Sequence, residues 1–233
     1  MKKINKFLLV FIPVILIVGC VVGYYFYYLN LHFFKTDNAA VSADSVPITP
    51  LLTGNVSQWN VKEGDTVTKG ELLGRQDLGN ILSSSAINVS ALSSSADSNL
   101  SKADIKSPID GKVVQSNVVQ GETISPGMQI AIIADTSNMY ITANIEETSI
   151  FKVKTGQKAD VNIDAYWGKR FTGYVQSIGQ ASQSAFSSMP SFNTSGTFSK
   201  VTQLIPVKIT IVNDENLPLL LGMNATVNIH LTD

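Results

Sequence analysis

A chain of 233 residues with 17 basic and 18 acidic side chains carries a net charge of −1, which leaves no electrostatic footprint for nucleic acid. The length allows one or two domains with a real core, and charged residues are sparse against abundant Ser, Thr, Asn and Val, a balance that suits β structure. A single cysteine, Cys20, excludes an internal disulfide and any cysteine-based zinc site.

Residues 1–6, with Lys2, Lys3 and Lys6, precede an uncharged apolar run over 7–29. As a helix rising 1.5 Å per residue, that run is long enough to cross a bilayer core of ~30 Å. The lysines place the N-terminus in the cytoplasm and the body outside, and Tyr24, Tyr25, Tyr27 and Tyr28 sit where headgroups are expected. A single-pass transmembrane anchor in the cell membrane is therefore expected. Ile17-Val18-Gly19-Cys20 also has the form of a lipobox, so a surface lipoprotein held through Cys20 is a competing reading, and a cleaved secretion signal a third. Residues 30–48 read as a linker and first strand.

A glycine-anchored phrase then occurs twice, 57 residues apart. The first copy, within 49–77, holds Gly54, Val56, Gln58, Val61, Gly64 and Gly70; the second, within 104–136, holds Gly111, Val113, Gln115, Val118, Gly121 and Gly127. Asp65-Thr66-Val67-Thr68 and Glu122-Thr123-Ile124-Ser125 follow the middle glycine at the same place. Each copy reads strand, turn, strand, turn, strand, with the six glycines supplying turns that need positive φ. Duplication implies two copies of one unit folded against each other. Between them, 78–103 is Ser-rich.

From 137 to 233 the pattern is two-residue alternation. Met139, Ile141, Ala143 and Ile145 form one set; Ala159, Val161 and Ile163 a second; Phe171, Gly173 and Val175 a third. Val207, Ile209 and Ile211, then Ala225, Val227, Ile229 and Leu231, complete them. Five or six such strands predict a small closed barrel, with a helical turn within 146–152. His230 reads as a solvent-facing strand residue. The long connection 180–200 carries Phe186, Met189, Pro190, Phe192 and Phe198, an apolar set that suits a partner- or substrate-contact loop.

The duplicated half-motif resembles the biotinyl/lipoyl domain. A carrier domain of that fold would bear lipoate or biotin on a lysine at the tip joining the halves. Lys102 is the nearest candidate; it lies far from Gly70, and no Met-Lys-Met occurs, so it reads as a structural lysine. The order of anchor, half-motif, insertion, half-motif and barrel instead resembles the membrane fusion proteins of the HlyD type, and within them the EmrA-type efflux adaptors. Thr36-Asp37-Asn38-Ala39-Ala40-Val41, Ser107-Pro108-Ile109-Asp110-Gly111 and Asn144-Ile145-Glu146-Glu147-Thr148 carry the resemblance. Ser184-Ala185-Phe186-Ser187-Ser188-Met189-Pro190 and the run from Asn193 to Val207 carry it further.

That resemblance implies a mostly β fold, a lipoyl-like sandwich plus a barrel, with a shortened segment replacing a long α-hairpin. It implies an adaptor for drug or small-molecule efflux that acts beside an inner-membrane transporter of the major-facilitator type, an ABC-type peptide or protein secretion partner being the alternative. Homo-oligomers are implied as well. No cofactor, metal or catalytic residue is expected: Gly-x-Ser-x-Gly, His-Glu-x-x-His and the phosphate-loop pattern are all missing from the sequence. Glu146, Glu147, Asp160 and Asp164 read as a solvated face.

Overall fold

The computed structural model describes residues 15–25, 32–77, 103–186 and 202–231. Fourteen strands occur among them. The first is β1 (Phe33–Ser42). Eight short ones follow: β2 (Ser45–Ile48), β3 (Gly54–Trp59), β4 (Thr66–Val67), β5 (Leu72–Asp77), β6 (Asp104–Lys106), β7 (Gly111–Ser116), β8 (Thr123–Ile124) and β9 (Ala131–Ala134). The last five are β10 (Tyr140–Glu146), β11 (Lys158–Ile163), β12 (Phe171–Ile178), β13 (Leu204–Val212) and β14 (Asn224–His230). They form two compact units: Ala43–Met139, and β1 together with the chain from Tyr140 onward.

The unit Ala43–Met139 is a sandwich of two four-stranded sheets, β2-β9-β7-β4 and β6-β5-β3-β8. Each sequence copy lends its middle strand to the other copy's sheet. Val67 of β4 pairs with Gly111 of β7, and Ile124 of β8 pairs with Gly54 of β3, the same two repeat positions in each case. The Gly64 N–H donates to the Val113 carbonyl at 2.8 Å, and the Gly121 N–H to the Val56 carbonyl, also at 2.8 Å. Asp65 accepts the Lys62 N–H at 2.8 Å and Glu122 accepts the Val119 N–H at 3.1 Å. The two copies even bulge at the same place, between Val56 and Gln58 and between Val113 and Gln115.

A quasi-two-fold axis follows from this pairing, and Trp59 lies beside it. Its indole N–H donates at 3.0 Å to the hydroxyl of Ser116, the equivalent residue 57 positions later. The core is five equivalent pairs, each fully or nearly buried, with Ala131 and Ile133 added from the second copy: Ile48 with Ile105, Val56 with Val113, Val61 with Val118, Val67 with Ile124, and Leu73 with Ile130. Each such side chain contributes about 1.5–3 kcal/mol by leaving water. The structural repeat begins earlier than the glycines: Pro47 of β2 pairs with Ile132 as Asp104 of β6 pairs with Arg75. Apart from the isoleucines, β2 and β6 share no residues, which hides this strand from sequence comparison.

The other unit is a closed barrel in the order β1-β10-β13-β12-β11-β14. Alternation accounts for its filling: Ile141, Ala143, Ile145, Ala159, Val161, Ile163, Val207, Ile209, Ala225, Val227 and Ile229 are all at most 1% exposed. Gly173 is required by crowding, since a Cβ there would lie 2.7 Å from the Thr210 carbonyl oxygen. One expectation is refined and one changes. The stretch read as a linker and first strand supplies two strands, β2 of the sandwich and β1, which closes the barrel between β10 and β14. Alternation is broken there by a bulge between Thr36 and Ala39, and only Ala39 and Val41 are buried. His230 is half-buried rather than free in solvent: its Nε2 lies 2.9 Å from Asp160 Oδ2, and its ring meets Phe33 edge-on.

Residues 15–25 form a helix whose side chains are all exposed, Cys20 included. Among the described residues no helix is long and apolar enough to cross a membrane. The remainder of the 7–29 run lies outside the described residues, as do 78–102 of the insertion.

Candidate functional site

Of the six glycines expected at turns, four occupy them. Gly64, Gly70, Gly121 and Gly127 have φ between 85° and 94°, a region that side-chain-bearing residues rarely adopt. Gly54 and Gly111 do not make turns; they open β3 and β7. At Gly111 the requirement is space, because a Cβ would stand 2.4 Å from the Ala134 carbonyl oxygen.

The insertion leaves and re-enters the sandwich through adjacent strands. β5 and β6 are antiparallel neighbours, and Arg75 pairs in register with Asp104. The Arg75 Nε–H donates to the Asp104 carboxylate at 2.8 Å, with the Lys106 ammonium 3.9 Å from the second oxygen. Half-exposed cations on one carboxylate contribute little energy, ~0–1 kcal/mol, yet they tie the two strands at the neck of the insertion. A groove of about 430 Å³ runs along the edge strands β2 and β6, lined by Val46, Pro47, Ile48, Leu51, Ile105 and Lys106 among others. Its walls are mostly aliphatic and proline-rich, with Thr49, Asp104 and Lys106 among them.

Pairing places the barrel's connections at two opposite ends. Phe33 pairs with His230 and Glu146 with Leu204, so the start of β1, the turn after β10 and both ends of the 180–200 connection share one end. Ala40 pairs with Asn224 and Ile163 with Ala225, which puts the β11–β12 turn, with Trp167 97% exposed, at the other. The turn expected within 146–152 is a 3-10 turn at Ile150–Lys152. Ile150 and Val153 are buried; Phe151, between them in the chain, is 91% exposed.

The contact loop is described only at its margins. A 3-10 turn covers Gln183–Phe186, the Ser184 hydroxyl hydrogen-bonds Gln203, and the Gly179 N–H donates to the Pro206 carbonyl at 2.8 Å. Met189, Pro190, Phe192 and Phe198 lie outside the described residues, and so does Lys102. Glu146 is exposed and Glu147 half-buried, Asp164 opens a turn, and Asp160 faces His230. Among the described residues no three His, Cys, Asp or Glu side chains come together in a way that would hold a metal ion. Asp135 is the carboxylate with a resolved perturbation: hydrogen bonds from the Ser137 hydroxyl, the Asn138 amide and the Ser137 N–H hold its pKa below 3.8.

These two units correspond to two family models. Residues 44–136 match the barrel-sandwich hybrid domain of the RND membrane fusion proteins, and residues 139–229 match the YknX-like β-barrel domain. Over 202 residues the chain is 39% identical to YhbJ of Bacillus subtilis (strain 168), covering 86% of this chain and 80% of YhbJ. The chain belongs to the membrane fusion protein family, in its HlyD/EmrA branch. This membrane fusion protein is also 33% identical over 138 residues to the multidrug export protein EmrA of Haemophilus influenzae, covering 58% of its own length and 35% of EmrA. The colistin resistance protein EmrA of Acinetobacter baumannii is 35% identical over 133 residues, covering 56% and 38%. The chain thus spans most of YhbJ but little more than a third of either EmrA.

Among solved structures, a MacA–MexA chimera carrying the MexA α-hairpin domain has a TM-score of 0.67 at 22% identity, covering 87% of this chain and 83% of the chimera. MacA of Actinobacillus actinomycetemcomitans has 0.64 at 19%, covering 85% and 79%. At those identities the likeness is one of fold.

Proposed function

We propose that this membrane fusion protein is a membrane-anchored adaptor that assembles with an exporter in the cell membrane and conducts drugs or other small molecules away from it. The observation carrying this reading is the sandwich itself. It is built from interlocked halves, opened at one hairpin by an insertion, and joined to a barrel whose first strand follows an apolar segment. A scaffold of that kind positions other molecules, and its described residues bring no three metal-ligating side chains together, so we read the protein as non-catalytic, with no cofactor.

Two of its relatives are named for multidrug export and colistin resistance, and YhbJ is named for an efflux system. A major-facilitator transporter is the partner favoured by the EmrA resemblance, and an ABC exporter is the alternative. The expected topology is single-pass, with residues 1–6 in the cytoplasm and the β units outside, arranged as a homo-oligomeric sleeve. An insertion of about 26 residues would reach only ~18 Å even if it formed two antiparallel helices, so a short reach is expected of this adaptor.

Deleting the gene while leaving the transporter intact tests the reading directly. Retention of a hydrophobic dye is expected to rise, with restoration by the plasmid-borne gene. Unchanged efflux rates in the deletion strain would overturn the export role.

A further inference from the structure

We propose that the end of the barrel where β1 begins rests on the lipid headgroup layer, with Phe151 inserted among the headgroups and Lys152 and Lys154 on surrounding anionic lipid. This inference rests on the anchor reading above and says where the barrel touches the membrane.

The geometry starts from the 3-10 turn. Ile150 and Val153, three residues apart, are buried, at 6% and 4% exposed. Their burial turns the side chain between them outward, and Phe151 is left 91% exposed. A phenyl ring held in water on a fixed turn suits a bilayer interface, where Trp, Phe and Leu side chains enter the headgroup boundary. Lys152 and Lys154 follow it, both exposed, and neither is ion-paired among the described residues. The acids nearest in sequence, Glu146 and Glu147, stand before the turn at the end of β10, and Glu146 accepts a hydrogen bond from Thr148 at 3.4 Å. An exposed aromatic followed by two exposed lysines is the composition of an interfacial contact on anionic lipid.

Chain length supplies the occupant. Phe151 shares its end of the barrel with Phe33, the first residue of β1. The apolar run ends near Leu29, four residues earlier, and four residues span at most ~14 Å. If that run crosses the bilayer, the β1 start lies within or just above the headgroup region, which is itself several ångströms thick on each side. Trp167 offers an internal contrast. It is equally exposed, at 97%, but sits at the other end of the barrel.

The experiment uses the full-length chain with Cys20→Ala, carrying Phe151→Cys or Trp167→Cys labelled with an environment-sensitive fluorophore. Each is reconstituted into phosphatidylcholine vesicles containing phosphatidylglycerol and a headgroup-nitroxide lipid. Co-flotation with the vesicles is scored first. The proposal expects floating protein whose label at 151 is blue-shifted and quenched by the nitroxide, while the label at 167 stays in water. Adding Lys152→Glu and Lys154→Glu should reduce quenching at 151 without reducing flotation.

Floating protein with an unquenched 151 label overturns the proposal and leaves the anchor standing; equal quenching at both sites also overturns it. A 151 label shielded in proportion to protein concentration but not by nitroxide lipid assigns the surface to a second copy instead, against the proposal. Protein that does not float removes the anchor reading, and this inference with it.

Discussion

Gly64 and Gly111 recur in the two copies for different physical reasons. At Gly64, φ is 94° and nothing stands within 4 Å of the place a Cβ would take, so only backbone conformation resists substitution. At Gly111 the backbone is ordinary strand and the Ala134 carbonyl fills the place of a Cβ. Gly111→Ala is therefore expected to lower stability by about 1–3 kcal/mol through crowding that the backbone cannot relieve. Gly64→Ala should cost about 1–2 kcal/mol, and Gly64→Asn less, because Asn tolerates positive φ. Thermal unfolding of the three variants distinguishes the two causes. The spacing of these glycines is legible in the sequence; which of them serves a turn and which serves close approach is not, because both demands select the same residue.

Asp135 offers a pH-dependent test at the same scale. Hydrogen bonds from Ser137 and Asn138 favour its charged form and lower its pKa in the folded state. A depressed folded pKa contributes stability that is fully present above the unfolded value, near 3.8, and is lost as pH falls through the folded value. The difference in urea midpoint between the wild type and Asp135→Ala should therefore be constant from neutral pH down to about pH 4 and shrink below it. A difference that persists unchanged at lower pH would assign the effect to the lost side chain rather than its charge. The group is at the surface, and the effect will be small.

At the scale of elements, the barrel depends on a strand contributed from ahead of the sandwich. Its other five strands alternate along most of their length, with a bulge in β12 between Val175 and Ser177, and most of their inward residues are readable from the sequence. β1 is not, since Phe33, Phe34 and Lys35 precede a bulge and only Ala39 and Val41 are sealed in the core. β2 is hidden for a related reason: a four-residue edge strand carrying Pro47 has too short a pattern to register. Without β1, the edges of β10 and β14 would be bare, and unpaired edges recruit other chains. A chain begun at Ser45 should accordingly remain folded as far as the sandwich is concerned yet self-associate, which light scattering against a chain begun at His32, with β1 kept, would register. A monodisperse truncated protein with native β content would show that the barrel closes without its first strand.

At the scale of the whole molecule, order along the chain carries the functional reading further than any single residue does. No side chain announces chemistry, so the assignment comes from the sequence of parts: apolar segment, half-motif, insertion, half-motif, barrel. Interlocking of the halves is implied by the repeat, but its depth is not, because strand exchange is written in backbone pairing. The axis beside Trp59 is an instance. Tryptophan in one copy and serine in the other look like divergence, and the structure makes them a donor and its acceptor at 3.0 Å.

The neck closed by Arg75 and Asp104 bears on how such proteins diversify. Because the insertion begins and ends on neighbouring strands, the sandwich senses it as a loop whose ends are already together. Closing a longer loop costs only about 0.6 kcal/mol for each doubling of its length. Growth from about 26 residues to roughly a hundred would thus cost near 1.2 kcal/mol, less than one buried isoleucine contributes. Evolution can lengthen or shorten this segment almost neutrally, so one unchanged body can suit cell envelopes of very different depth.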